Sequence, residues 1–73
     1  MNTNPNLACG IYWCINPGSP NRVCEIREII GEDEGGYAKR CQEIRFLGGA
    51  SFYLLRWIAL YGPSAKFIPV SAP

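Results

Sequence analysis

Residues 10–30 have the sequence GIYWCINPGSPNRVCEIREII, and this stretch predicts a β-hairpin. Ile11, Trp13 and Ile15 lie two residues apart, which is the period of a β-strand, and β-branched and aromatic side chains favour strands. Residues 16–21, NPGSPN, form a turn signal because glycine permits positive φ and proline cannot extend a β-ladder. Residues 22–30 alternate again, so we expect the chain to fold back as a second strand.

Residues 31–36, GEDEGG, mark the next break, and residues 37–47 are either a third strand or a helix. Their Tyr, Cys, Ile and Phe favour a strand, whereas their Ala, Lys, Arg, Gln and Glu suit a helix. If each turn is the midpoint of its hairpin, Cys14 lies opposite Cys24, and Cys41 lies opposite Ile26 on the same face. Three of the four cysteines then share one side of a small antiparallel sheet.

Residues 51–61 are the most apolar segment, and they predict a helix that lies across the sheet. Ser51 is a suitable N-cap, and Gly62 with Pro63 is a stop signal. The predicted core stripe consists of Phe52, Leu55, Ile58 and Ala59. Some of the aromatic side chains, such as Tyr53, Trp57 or Tyr61, are then left at the surface. The segment is too short to span a bilayer, which needs about 20 apolar residues.

The predicted fold class is therefore α+β: a small antiparallel sheet of two or three strands packed against one C-terminal helix, with disordered N- and C-terminal tails. Residues 9–62 form a single small domain, residues 1–8 a flexible N-terminal segment and residues 63–73 a flexible Pro-containing tail. In that tail, Phe67, Ile68 and Val70 could add an edge contact to a partner.

The cysteines have three interpretations. The first eight residues lack the basic and apolar regions of a secretory signal, so we expect a reducing compartment. There the thiols are zinc ligands, buried small hydrophobes or a conditional disulfide. A zinc site would use Cys9, Cys14, Cys24 and Cys41, but only the first two approach the short spacing of a zinc knuckle. We favour packed cysteines, with no cofactor.

The composition argues against catalysis. The 73 residues include no histidine to act as a base near neutral pH, and no phosphate-binding Gly-Lys-Ser/Thr loop. Seven Lys and Arg residues against six Asp and Glu residues give a net charge of +1, so no global basic excess drives binding to nucleic acid. The charge is instead divided between an acidic tip and a basic stretch. The tip contains Glu28, Glu32, Asp33 and Glu34, and the basic stretch contains Lys39, Arg40 and Arg45. We therefore expect a binding protein that is not an enzyme and has no small-molecule substrate.

The whole chain resembles a family of very small transcription regulators encoded by lytic phages that infect plant-pathogenic bacteria. The resemblance lies in the length, in the opening residues 1–7 (MNTNPNL), in residues 9–14 (CGIYWC) and in residues 49–61 (GASFYLLRWIALY). It covers nearly all of the chain and depends on no short transferable motif.

The resemblance implies a protein of the infected host's cytoplasm that binds bacterial RNA polymerase. Its partners would be the N-terminal region of the β′ subunit, the β flap and the elongation factor NusA, with nascent RNA affected only indirectly and no membrane involved. It would displace the σ factor at promoters and promote antitermination at intrinsic terminators.

Family-defined contact residues do not transfer, so the candidate partner contacts come from residue chemistry. They are Tyr12, Trp13, Arg40 and Arg45, because Trp, Tyr and Arg are the usual anchors of protein interfaces. The alternatives are a small cytosolic zinc- or nucleic-acid-binding module, or an inhibitor of another host protein. Bound zinc and salt-sensitive affinity for naked DNA or RNA would indicate the module.

Overall fold

A computed structural model describes residues 7–70, which form one five-stranded antiparallel sheet and one helix. The strand order is β4-β3-β2-β1-β5. In chain order the elements are β1 (Gly10–Ile15), β2 (Arg22–Glu32), β3 (Ala38–Phe46), β4 (Ser51–Tyr53), α1 (Leu54–Tyr61) and β5 (Lys66–Pro69). Helix α1 therefore joins the two edge strands, β4 and β5.

The prediction of two or three strands is wrong, because both edge strands were missed. Residues 51–53, predicted as the first turn of the helix, pair with β3 instead. A tight turn causes this: Gly48 takes a φ of 71°, and the Gly49 amide donates to the Phe46 carbonyl at 2.9 Å. The helix consequently begins at Leu54, three residues later than Ser51, and its N-cap, Tyr53, makes no side-chain capping hydrogen bond.

The C-terminal tail, predicted to be flexible, contains strand β5. Residues 66–69 pair with β1, and the Phe67 ring packs at 6.4 Å from Tyr12 and 6.2 Å from Trp57, measured between ring centroids. Pro69 is tolerated because an edge strand needs no donor on its outer side. Residues 71–73, and residues 1–6 of the N-terminal segment predicted to be flexible, lie outside the described range.

The first hairpin forms where predicted, with a register shifted by two residues. The Ser19 amide donates to the Asn16 carbonyl at 3.0 Å, and Gly18 has a φ of 84°, as the third position of a type II turn requires. Tyr12 thus lies opposite Cys24, whereas we expected Cys14 there. An even shift keeps every side chain on its predicted face, so Cys14 and Cys24 do share one side.

The second hairpin differs by three residues, which moves Cys41 to the other face. Segment 37–47 contains strand β3, and β2 continues through Gly31 and Glu32, which the sequence assigns to the turn. The turn itself is stabilised by Asp33, whose carboxylate accepts hydrogen bonds from the amides of Gly35 (2.9 Å) and Tyr37 (3.0 Å). Cys41 therefore pairs with Ile29, while Ile44 occupies the position opposite Ile26.

The core lies between α1 and one face of the sheet. Its buried residues are Tyr12, Cys14, Cys24, Ile26, Ile44, Phe46, Leu54 and Trp57. Trp57, expected at the surface, is only 7% exposed, and its ring lies 5.3 Å from that of Phe46. Neither acidic residues in the first turn nor basic residues in the last turn support the helix, so packing against the sheet stabilises it.

Candidate protein-docking surface

The sheet face opposite α1 carries a continuous group of apolar side chains. Strand alternation places every second residue of β1, β2 and β5 on this open face, because their neighbours point into the core. In one cross-strand row, Trp13 lies between Ile68 and Val23, and Leu47 follows Val23 through a backbone hydrogen bond of 3.1 Å. In the next row, the Val70 amide donates to the Ile11 carbonyl at 2.9 Å.

We call these six residues the apolar band: Ile11, Trp13, Val23, Leu47, Ile68 and Val70. All except Val23 are exposed, from 43% for Trp13 to 82% for Leu47. Trp13 lies near the centre of the band, with a neighbour on each adjacent strand. An exposed group of large apolar side chains on one face is typical of a surface that binds another protein.

Charged side chains border the apolar band on β2 and β3. Arg27 and Glu43 form a hydrogen-bonded ion pair at 2.8 Å, and this hydrogen bond, reinforced by the charge of Glu43, raises the pKa of Arg27. Glu25 and Arg45 lie opposite each other nearer the band. Together with Ile11, Val23 and Leu47 of the band, these two charged residues line a shallow depression of about 230 Å³. The surface thus has an apolar centre and a charged rim, which is the usual anatomy of a protein interface.

The four candidate partner contacts lie in three different places. Trp13 and Arg45 are both on the open face. Tyr12 is in the core, 6% exposed, and its hydroxyl donates to the Ala8 carbonyl at 2.6 Å. Arg40 is on the helix side of β3, far along the second hairpin, where its guanidinium lies 4.0 Å from the Glu28 carboxylate. The structure therefore brings together two of the four candidates.

Leu47, Ile68 and Val70 are parts of the surface that sequence reasoning did not place there. The sequence suggests Ile68 and Val70 as edge contacts to a partner, but they pair with β1 of the same chain and extend its open face. The alternation of Phe67, Ile68 and Val70 was the available signal, and the prolines around it concealed the strand.

The cysteines do not converge on one point. Cys14 and Cys24 lie in the core, Cys41 is half-buried on the open face, and Cys9 is exposed before β1. Burial raises the pKa of both core thiols, that of Cys24 to about 11. All four thiols are free, and within residues 7–70 no group of three or more His, Cys, Asp or Glu residues could hold a metal ion. The four cysteines that the alternative zinc site would use are therefore not brought together in this structure.

Within the described residues, no helix has the length and apolar character needed to cross a membrane. No protein-family model, curated protein or solved structure matched the chain.

Proposed function

We propose that this chain is a phage-encoded, non-enzymatic regulator that binds bacterial RNA polymerase through the open face of its sheet. The resemblance supports the identity of the partner, and the apolar band supports the mode of binding. In this proposal the bound protein displaces the σ factor at promoters and, with NusA, promotes antitermination at intrinsic terminators, acting in the cytoplasm of the infected host. The observation that carries the proposal is the exposed Trp13 at the centre of the apolar band.

The open face has the physical properties that a docking surface needs. Its apolar centre can release water on binding, which is the main source of affinity in protein association. Trp13 is held by neighbours on β2 and β5, so little conformational entropy is lost when a partner covers it. Glu25 and Arg45 at the rim carry opposite charges and can set the orientation of the partner.

The test is binding of purified bacterial RNA polymerase to the Trp13→Ala variant. Trp13 is 43% exposed. A tryptophan can bury up to about 250 Å², so roughly 100 Å² remains to be covered by a partner. At about 25 cal/mol/Å² this corresponds to about 2.5 kcal/mol, or roughly a 60-fold rise in Kd. Surface plasmon resonance measures the Kd, and an in vitro assay of initiation and terminator read-through measures regulation.

The matched control is Leu60→Ala, which truncates a residue that is 65% exposed on α1, on the other side of the sheet. We expect its Kd to stay within about twofold of the parent, because a partner bound on the open face does not cover Leu60 and few residues outside an interface affect affinity. Circular dichroism shows whether both variants stay folded. If the parent protein does not bind polymerase, polymerase is not its partner. If both substitutions raise the Kd equally, the open face is not the binding surface. Binding to naked RNA or DNA instead would favour a nucleic-acid module.

A further inference from the structure

The second hairpin extends beyond the rest of the sheet and leaves one side of β2 without a neighbour. Strand β1 ends its pairing at Gly10, opposite Ile26. Pairing of β2 with β3 continues to Glu32, opposite Ala38. In the part of the chain that the structure describes, no strand lies beside residues 27–32 on the β1 side.

The backbone hydrogen-bonding groups on that side point outward. The Asp33 amide donates to the Tyr37 carbonyl, and the Leu47 amide donates to the Val23 carbonyl, so odd-numbered residues of β2 bond with β3. Because bonding alternates along an antiparallel strand, the even-numbered residues direct their N–H and C=O groups to the opposite side. The free edge therefore presents the donors and acceptors of Glu28, Ile30 and Glu32, which we call the β2 edge.

The side chains of the β2 edge specify what could pair with it. Glu28, Ile30 and Glu32 lie on the same face, and Ile30 is 69% exposed between the two carboxylates. Arg40 is the nearest cation to Glu28, at 4.0 Å with both side chains more than half exposed, so it compensates that charge only weakly. We propose that the β2 edge binds an extended segment of another protein whose alternate side chains are basic, apolar and basic, which adds as a sixth strand.

The β2 edge of a second copy does not fit the β2 edge of the first. Antiparallel self-pairing centred on Ile30 would place Glu28 of each copy opposite Glu32 of the other, and like charges at directly opposed positions destabilise a sheet. Residues 1–6 of the chain, MNTNPN, contain no lysine or arginine, so they do not offer the alternate basic, apolar and basic side chains of the proposed ligand. The carboxylates therefore disfavour self-association and favour a basic strand.

The probe is the peptide Thr-Lys-Thr-Val-Thr-Lys-Thr with blocked ends, and its control is the same peptide with both lysines replaced by glutamate. Titration of the isotope-labelled full chain, followed by NMR, should show the basic peptide saturating at a Kd below about 1 mM and the acidic peptide binding at least about tenfold more weakly. The amides of Glu28, Ile30 and Glu32 should gain protection from hydrogen exchange. The Ile29 amide, already bonded to β3, should not change.

A matched pair of variants separates strand addition from general charge attraction. Glu32→Lys lies on the β2 edge and should weaken the basic peptide about fivefold or more, whereas Glu34→Lys, in the hairpin loop, should change it less than about twofold. Trp13→Ala should leave peptide binding intact, so this result is independent of polymerase binding. Equal effects of the two lysine variants, or protection that does not alternate, would overturn the proposal. An absence of binding at about 1 mM peptide would also overturn it and leave the carboxylates as guards against self-association.

Discussion

Replacement of Gly62 by alanine tests whether the end of α1 is closed by the ring of Trp57. A Cβ atom at position 62 would overlap Cζ3 of Trp57 and lie 2.7 Å from its Cη2 and 3.1 Å from the Cβ of Ala65. The φ of Gly62 is −137°, so its backbone is not in the left-handed region that favours glycine. The Trp57 ring cannot move aside freely, because the rings of Phe46 and Phe67 pack against it at 5.3 and 6.2 Å.

The expected cost follows from these contacts. Overpacking of a filled core costs about 1–3 kcal/mol. The lower entropy of the unfolded alanine chain offsets roughly 0.4–1 kcal/mol of this. Taking the midpoints of these ranges, we expect Gly62→Ala to lower the free energy of unfolding by about 1.3 kcal/mol, which in a domain of this size lowers Tm by roughly 5–10 °C. Urea and thermal denaturation, followed by circular dichroism, measure both quantities.

Two further variants show whether the ring is responsible. At Gly49 an added Cβ would meet the flexible end of Arg22 at 3.2 Å, so Gly49→Ala should change stability by less than about 0.5 kcal/mol. Trp57→Phe removes Cζ3 and Cη2, and in that background Gly62→Ala should also cost less than about 0.5 kcal/mol. The same loss with phenylalanine as with tryptophan at position 57 would refute the explanation.

Two other predictions concern the cysteines. Gly31→Ala places a Cβ 2.7 Å from Sγ of Cys41 and should cost about 1–3 kcal/mol in urea unfolding, with at least half of the loss recovered by adding Cys41→Ala; no recovery would contradict it. Burial raises the pKa of Cys24 from 9.0 to about 11, so the stability from the neutral thiol is complete below pH 9 and is lost toward pH 11. Cys24→Ala should therefore lose less stability across that range, and parallel pH curves would argue against this origin.

Local signals in the sequence were sufficient for the strands and turn of the first hairpin, although not for its register, and for the end of the helix. The period-two pattern of residues 11–15 and the Pro17-Gly18 pair define a strand and a turn without help from the rest of the chain. Likewise, the helix ends at Gly62, as its stop signal indicates. Register was harder, because Gly31 has the composition of a turn but lies in β2, where its missing side chain leaves room for Cys41 and Tyr53.

The edge strands depended on contacts between distant residues. In the sequence, Ser51 has the character of a helix N-cap and Pro69 that of a strand break. Residues 51–53 and 66–69 become strands only because they pair with the free edges of β3 and β1. The candidate surface shows the same limit. Strand β1 has large side chains on both faces, so alternation alone could not show that Tyr12 lies in the core and Trp13 outside it. Strand β5 pairs with the outer edge of β1 and adds Ile68 to the exposed apolar surface, so the width of that surface depends on a contact between distant residues.

Helix α1 leads from edge strand β4, across the sheet, to edge strand β5. As a result β5, the last strand of the described fold, pairs with β1, the first. The turns between β1, β2, β3 and β4 are short, so these strands can pair as soon as they leave the ribosome. Strand β5 must close a loop that contains nearly the whole fold, which costs more chain entropy. Until residues 66–69 leave the ribosome, the outer edge of β1 stays unpaired, with Ile11 and Trp13 beside it. The nascent chain is therefore most vulnerable to aggregation during this interval, before β5 has emerged.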